Sequence, residues 1–180
     1  MKIRKISEAD LPERVRWMND PSVYKTMHFT PPISLEKTKE WYHKNQKANR
    51  YDMVFEDEEG NLLAMGGLTS VDYTTRKAEF YIFVNPLKQR QGFGSEATYL
   101  LCKYGFDILK LHKIFLYTNA SNLGARKTYE KVGFKLEGIH RDEMIENETY
   151  EDRLYFGLLA NELQANKDTL RFSGDNDYKG

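Results

Sequence analysis

Between Lys77 and Leu109 the sequence KAEFYIFVNPLKQRQGFGSEATYLLCKYGFDIL places a carboxylate, a glycine-bearing turn and a long amphipathic run in succession. The turn Gln89-Arg90-Gln91-Gly92-Phe93-Gly94 opens onto that run. N–H groups in the first turn of a helix lack intrahelical partners, and the helix dipole adds partial positive charge there. An anionic group suits such a place. Gly92 and Gly94 let the main chain approach it without a Cβ in the way, and Arg90 adds charge at the rim. The chemistry predicted is pyrophosphate binding, although Gly-x-Gly before a helix also occurs in ordinary loops.

Two nucleotide-binding patterns fit poorly. A phosphate loop of the Gly-x-x-x-x-Gly-Lys-Ser/Thr kind does not occur in the sequence. A dinucleotide fingerprint needs three spaced glycines at the opening of a βαβ unit, whereas here the strand before the turn ends a hairpin meander. The 180 residues suit one domain, expected over 1–164, with a polar, disordered tail over 165–180. Lys plus Arg and Asp plus Glu balance at 27 each, so no net field recruits nucleic acid or a membrane surface, and neither partner is expected. The single cysteine, Cys102, excludes a disulfide within the chain and reads as a small buried hydrophobe. The four histidines are widely spaced, and no metal is expected. Met1-Lys2-Ile3-Arg4-Lys5 leads into an acidic segment without an apolar run, so a cytoplasmic location is expected.

The elements that must position this chemistry follow from local signals. Residues 1–7 alternate as an edge strand, and Ser7 is placed to cap a helix carrying Leu11, Val15 and Met18. Asn19-Asp20-Pro21 breaks that helix, and residues 22–27 form a second short one. Ser34 caps a third, with Trp41 on its apolar side. The loop His28-Phe29-Thr30-Pro31-Pro32 between them is either a lid facing a substrate or a connector. Residues 51–56, 62–71 and 78–84 form a three-strand meander, with Gly66-Gly67 marking a bulge or a close backbone approach. On the third strand Phe80, Ile82 and Val84 face one way and Glu79, Tyr81 and Phe83 the other. The helix after Gly94 presents Ala97, Leu100, Leu101, Tyr104 and Ile108 on one face. A central strand over 113–118 follows, parallel to the third strand by a right-handed crossover. A helix over 122–131 ends at Gly133, and strands over 134–138 and 150–159 close the chain around Glu146-Asn147-Glu148.

Gln89-Arg90-Gln91-Gly92-Phe93-Gly94 resembles the Gln/Arg-x-x-Gly-x-Gly/Ala signature of the GCN5-related N-acetyltransferase (GNAT) superfamily. The segment from Asn119 to Phe134 is similar to that family's Asn-x-x-Ala-x-x-x-Tyr-x-x-x-Gly-Phe block, with Asn122, Ala125, Tyr129, Gly133 and Phe134 in the matching positions. The two blocks stand in the family's order with the expected strand between them. The resemblance covers residues 1–159 and is closest to the branch of ribosomal-protein alanine, spermidine and nucleotide-sugar amine acetyltransferases. It implies an α/β (α+β) fold: a mixed, mostly antiparallel sheet with a splayed central parallel strand pair, flanked by helices. It also implies that acetyl-CoA is the cosubstrate. Its pyrophosphate would lie on Gln89, Arg90, Gln91, Gly92, Phe93, Gly94 and Ser95, and its pantetheine arm along Phe83, Val84 and Asn85, with Asn122 contacting the arm.

Acetyl transfer needs a neutral amine, yet a primary alkylamine has a pKa of about 10.4, so the free base at neutral pH costs about 4–5 kcal/mol. A base acting directly or through water lowers that cost. Glu79 is the candidate, being on the strand that leads to the acetyl site, where similar family members carry a glutamate; a solvated or ion-paired strand residue is the alternative. Tyr129 matches the family's tyrosine acid, which would protonate the departing thiolate, and its spacing with Ala125 and Val132 also suits packing.

The expected acceptor is a small-molecule amine. Arg16 to Pro21, Ile33 to Glu36 and Trp41 look similar to enzymes acting on the 4-amino group of UDP-linked amino sugars, which would place His28, Phe29, Tyr73 and Tyr81 at the substrate. The alternatives are a polyamine (spermidine or spermine), a protein N-terminus, or a non-catalytic acyl-CoA-binding or sensing module. The closing hairpin offers an edge for a homodimer.

Overall fold

The computed structural model describes residues 1–146 and 148–165. Asn147 of the expected turn, and the expected tail from residue 166 onward, lie outside the described residues. Among the described residues, seven strands form one sheet in the order β1-β2-β3-β4-β5-β7-β6. They are β1 (Lys2–Lys5), β2 (Tyr51–Glu56), β3 (Leu62–Asp72), β4 (Lys77–Val84), β5 (Lys113–Asn119), β6 (Lys135–Glu146) and β7 (Thr149–Leu159). Every neighbouring pair is antiparallel except β4 with β5. The fold is therefore the mixed, mostly antiparallel α/β sheet with a central parallel pair that the resemblance implies.

Helices cover both faces because β4 sends its side chains both ways. Phe80 joins the larger core with α4 (Phe93–Asp107) and α5 (Leu123–Val132), where Leu100, Leu101 and Val132 are buried. Phe83 joins a second core with Leu11, Trp17 and Val23 from α1 (Leu11–Met18) and α2 (Pro21–Met27), beside Trp41 of α3 (Leu35–Asn45). Gly66 and Gly67 mark close approach rather than a bulge, since a Cβ at Gly66 would meet the Tyr81 carbonyl at 2.6 Å and one at Gly67 the Tyr51 carbonyl at 2.7 Å. The register shifts of β3 and its neighbours fall elsewhere, between Phe55 and Glu56 and between Thr69 and Asp72.

Local capping signals set the helix ends. Asp20 accepts from Ser22 N at 2.9 Å, Ser34 Oγ from Lys37 N at 3.2 Å, and Asn122 Oδ1 from Ala125 N at 3.1 Å. Gly133 closes α5 at φ 112°. Ser7 departs from expectation. The first turn is a short 3-10 segment, Glu8–Asp10, and it is the Asp10 carboxylate that accepts, from Ser7 N at 2.7 Å and Ser7 Oγ at 2.8 Å. Ile108 also departs: α4 ends at Asp107, and Ile108 is 50% exposed beyond the core face. The last strand pair is longer than expected, and β7 enters the sheet between β5 and β6.

Candidate active site

Strands β4 and β5 run side by side only through Lys77↔Lys113, Ala78↔Ile114 and Glu79↔Phe115. Beyond that rung β4 continues to Val84 and β5 to Asn119 without pairing, so the β5-facing edge of β4 from Phe80 to Val84 has no strand partner. The gap is a cleft of about 590 Å³. One wall is the β4 segment from Glu79 to Val84; Tyr117 and Thr118 of β5 and Arg153 of β7 form another. An unpaired strand edge facing a cleft suits an amide-bearing arm that can take the place of a strand.

At the Val84 end of the cleft the chain enters the predicted anion turn. Arg90 has φ 62° and Gly92 φ 92°, both left-handed, the kind of backbone in which successive N–H groups form an anion-binding concavity. The N–H groups of Gln91, Gly92 and Gly94 donate to no described backbone or side-chain acceptor, whereas Ser95 N reaches back to Gly92 O at 3.1 Å. A Cβ at Gly94 would stand 3.4 Å from Val84 Cγ2, so the turn and the strand end lie close together. Gln89 Nε2 donates to Ser22 Oγ at 3.0 Å and ties the turn to α2. Free donors on a glycine turn at a helix start fit the pyrophosphate of acetyl-CoA. Gln89, Arg90, Gly92, Gly94 and Ser95 line the cleft. Gln91, which is exposed, and Phe93, which packs on the core, do not line it.

Glu79 and Tyr129 lie in the same cleft, with Asn122 and Ala125 on the α5 wall. The Tyr129 ring packs edge-on against Phe80 with centroids 6.0 Å apart and meets Phe134 at 5.7 Å. Burial, with a smaller contribution from Cys102, pushes its phenol well above the usual value, so it stays protonated and can only donate to an anion. Burial also raises the Cys102 thiol, as an inert core position requires. Asn122 spends its side-chain oxygen on the α5 cap, leaving only its amide nitrogen for a ligand. Phe83 turns its ring away into the second core, against Phe29 at 5.9 Å, so its main chain is what faces the gap. Asn85 is a correction to the expected arm contact: its N–H donates to Leu63 O at 2.9 Å and its side chain to Leu62 O at 3.1 Å, both on the β3 side.

The residues expected at the acceptor separate. His28 reaches the cleft as the left-handed cap of α2 at φ 55°, with Nε2 3.1 Å from Asn119 Oδ1. Tyr81 lines the cleft, but its hydroxyl donates to Asp52 Oδ1 at 2.6 Å, its ring stacks on Phe83, and burial pushes its phenol up to about 12. Phe29 lines a different cavity, and Tyr73 lies in the far turn between β3 and β4, with its hydroxyl 2.5 Å from that of Tyr51. The turn carrying Tyr73 is at the paired end of β4, opposite to the splay, which is why it cannot reach.

Two residues near the cleft, Arg153 and Glu151, went unseen in sequence. Arg153 lies over the Tyr117 ring at 4.7 Å, and Glu151 accepts from Asn119 Nδ2 at 3.0 Å and Ser121 N at 2.5 Å, with Asn119 as its link to His28. Burial alone would raise the Glu151 carboxylate, but the hydrogen bonds from Ser121 and Asn119 carry it below its usual range. No local pattern marks these residues. They arrive through the insertion of β7 beside β5, a pairing between distant segments.

Residues 1–135 match the family model described as an acetyltransferase (GNAT) domain. The chain is 31% identical to a spermidine N(1)-acetyltransferase of Vibrio cholerae, over 86% of this chain and 91% of that protein. It is 26% identical to a spermidine N(1)-acetyltransferase of Escherichia coli, over 94% of this chain and 91% of that protein. Among solved structures it is similar to the crystal structure of spermidine N-acetyltransferase from Vibrio cholerae in complex with CoA and spermine. The TM-score is 0.85 at 30% identity, covering 89% of this chain and 96% of that one.

Proposed function

The chain belongs to the GNAT acetyltransferase family and is an acetyl-CoA-dependent N-acetyltransferase; from that premise we propose that its acceptor is a polyamine such as spermidine. The reading rests on one observation above the others: relatives covering most of both chains carry that activity in their names. The cleft is compatible with it. Glu79 stands at one wall, and the Glu151 carboxylate, held ionised by Ser121 N and Asn119, is linked to His28 through the Asn119 side chain. The Glu79 carboxylate lines the cleft and attracts an ammonium group of an extended polycation.

Glu79 serves as the base, directly or through one water, taking the proton that the attacking amine must lose. The unpaired edge of β4 aligns the cosubstrate, which supplies the acyl group. The Gly92–Gly94 turn holds the pyrophosphate through main-chain donors. Tyr129 donates a hydrogen bond to the sulfur as negative charge develops on it; its raised pKa keeps the proton available at every physiological pH.

The amino-sugar reading loses its supports. Tyr73 lies outside the cleft, Phe29 faces the neighbouring cavity, and Tyr81 is tied to Asp52 and stacked on Phe83, so none of the three is placed to flank a sugar or uracil ring. Release of free CoA from acetyl-CoA should be measured with spermidine, a UDP-linked 4-amino sugar and a peptide with a free N-terminal alanine. Spermidine is expected to give the highest kcat/KM. A preference for either of the other two rejects the polyamine assignment while leaving the acetyltransferase in place.

A further inference from the structure

A second cavity, of about 380 Å³, lies against the Tyr81 side of β4, enclosed by α1, α3 and the loop after α2. Met18, Met27, Phe29, Ile33 and Trp41 give it apolar walls. Arg14 also lines it and is 5% exposed. Its Nε and Nη1 are fully buried and donate to nothing among the described residues, and it has no ion-pair partner there. The rings of Trp41, Phe83 and Tyr81 surround the guanidinium at 4.5, 5.2 and 5.8 Å. Ring faces offset part of a positive charge, but they do not accept in-plane N–H groups. Asp52 cannot serve either, because its carboxylate already accepts from Arg50 Nε and Nη2, both at 2.7 Å, and from the Tyr81 hydroxyl. A buried cation without a counter-charge is strongly unfavourable, and this one borders an apolar space large enough for a small molecule.

We propose that this cavity binds a small organic monocarboxylate with an apolar body, its carboxylate on Arg14 and its body against Trp41, Phe29 and Met18. The charge count selects a monoanion. Arg50 is neutralised by Asp52, and Lys37, the remaining basic group on the wall, is exposed at the mouth and solvated. A phosphate dianion would leave charge unmatched against apolar walls, and a polyamine would bring ammonium groups to Arg14 and Arg50. The site is distinct from the acetyl-CoA cleft, although Met27 and Tyr81 line both. The inference goes beyond the acceptor assignment and does not depend on it.

Isothermal titration of the full chain saturated with CoA, which keeps the anion turn of the cleft filled, tests it. The probes are phenylacetate and cyclohexanecarboxylate, with inorganic phosphate and spermidine as controls. One-to-one binding of at least one acid is expected. In Arg14→Met the affinity should fall at least about tenfold, because charge-assisted hydrogen bonds are lost, while the melting temperature stays the same or rises. Should that variant fail to fold, Ile33→Trp, which fills the cavity and keeps Arg14, must abolish binding. No heat with either acid, wild-type affinity in the variant that folds, or displacement of the acid by spermidine overturns the proposal.

Discussion

Glu79 and Phe115 form the last rung of the parallel ladder between β4 and β5. The carboxylate proposed as base therefore stands where the sheet parts, with the paired strands behind it and the cleft ahead. Paired strands fix the main chain at Glu79, and the loss of pairing one residue later opens the space in which an acyl group and an amine can meet it. Position on a rigid element at the edge of a cavity is what a proton acceptor needs, since misplacement by a fraction of an ångström weakens the transfer.

Replacing Tyr129 by Phe should lower kcat about 10²–10³-fold, because a single donor aimed at developing charge contributes about 2.7–4 kcal/mol where it has been removed in other enzymes. The ring contacts with Phe80, Phe134 and Phe156 are kept, so the melting temperature should hold. Thiol release and thermal unfolding measured on one preparation check both halves. Unchanged kcat would reduce Tyr129 to a packing residue.

The two glycines of the turn should respond differently. Gly92 has φ 92°, where an L side chain costs about 1–2 kcal/mol, so Gly92→Ala is expected to lower both stability and acetyl-CoA affinity. Gly94 has ordinary contact space toward Val84. Gly94→Trp should therefore keep the fold and weaken acetyl-CoA at least about tenfold, the loss of one hydrogen bond to a charged group. Calorimetry with acetyl-CoA beside a melting curve separates the two cases.

Asp10 gives a prediction for acid. Burial alone would raise its carboxyl, but hydrogen bonds from Arg4 and Ser7 hold it below the usual range. A carboxyl with a depressed folded pKa stabilises the fold above its unfolded value, about 3.9, and loses that contribution as pH falls through the folded one. Asp10→Asn should cost about 2 kcal/mol at neutral pH, the scale of a hydrogen bond to a charged group, and the difference from wild type should shrink below about pH 3.9. Urea melts across pH measure it; a constant difference would remove the ionic contribution.

The parts of this molecule visible in sequence were those with local causes. Asp20, Ser34, Asn122 and Gly133 mark helix ends through groups a few residues away, and β2 ends at the charged turn that follows Glu56. The glycine turn and the position of Glu79 on β4 were visible for the same reason. Glu151 and Arg153 were not, because they reach the site only once β7 inserts between β5 and β6. Tyr73 and Phe29 were misplaced because aromatic character gives no direction: one sits at the paired end of β4 and the other on the opposite side of it from Phe80. Nor does any sequence pattern mark Arg14, whose isolation follows from Asp52 being occupied by Arg50 and Tyr81.

The most direct test of the account is kcat/KM for spermidine against pH in the wild-type chain and in Glu79→Gln. A positioned base contributes about 10²–10⁴-fold, so a loss of that size is predicted at neutral pH. It should narrow as the pH approaches about 10.4, where the amine deprotonates unaided. Equal rates for the two proteins across the whole range would contradict the assignment of Glu79 as the base.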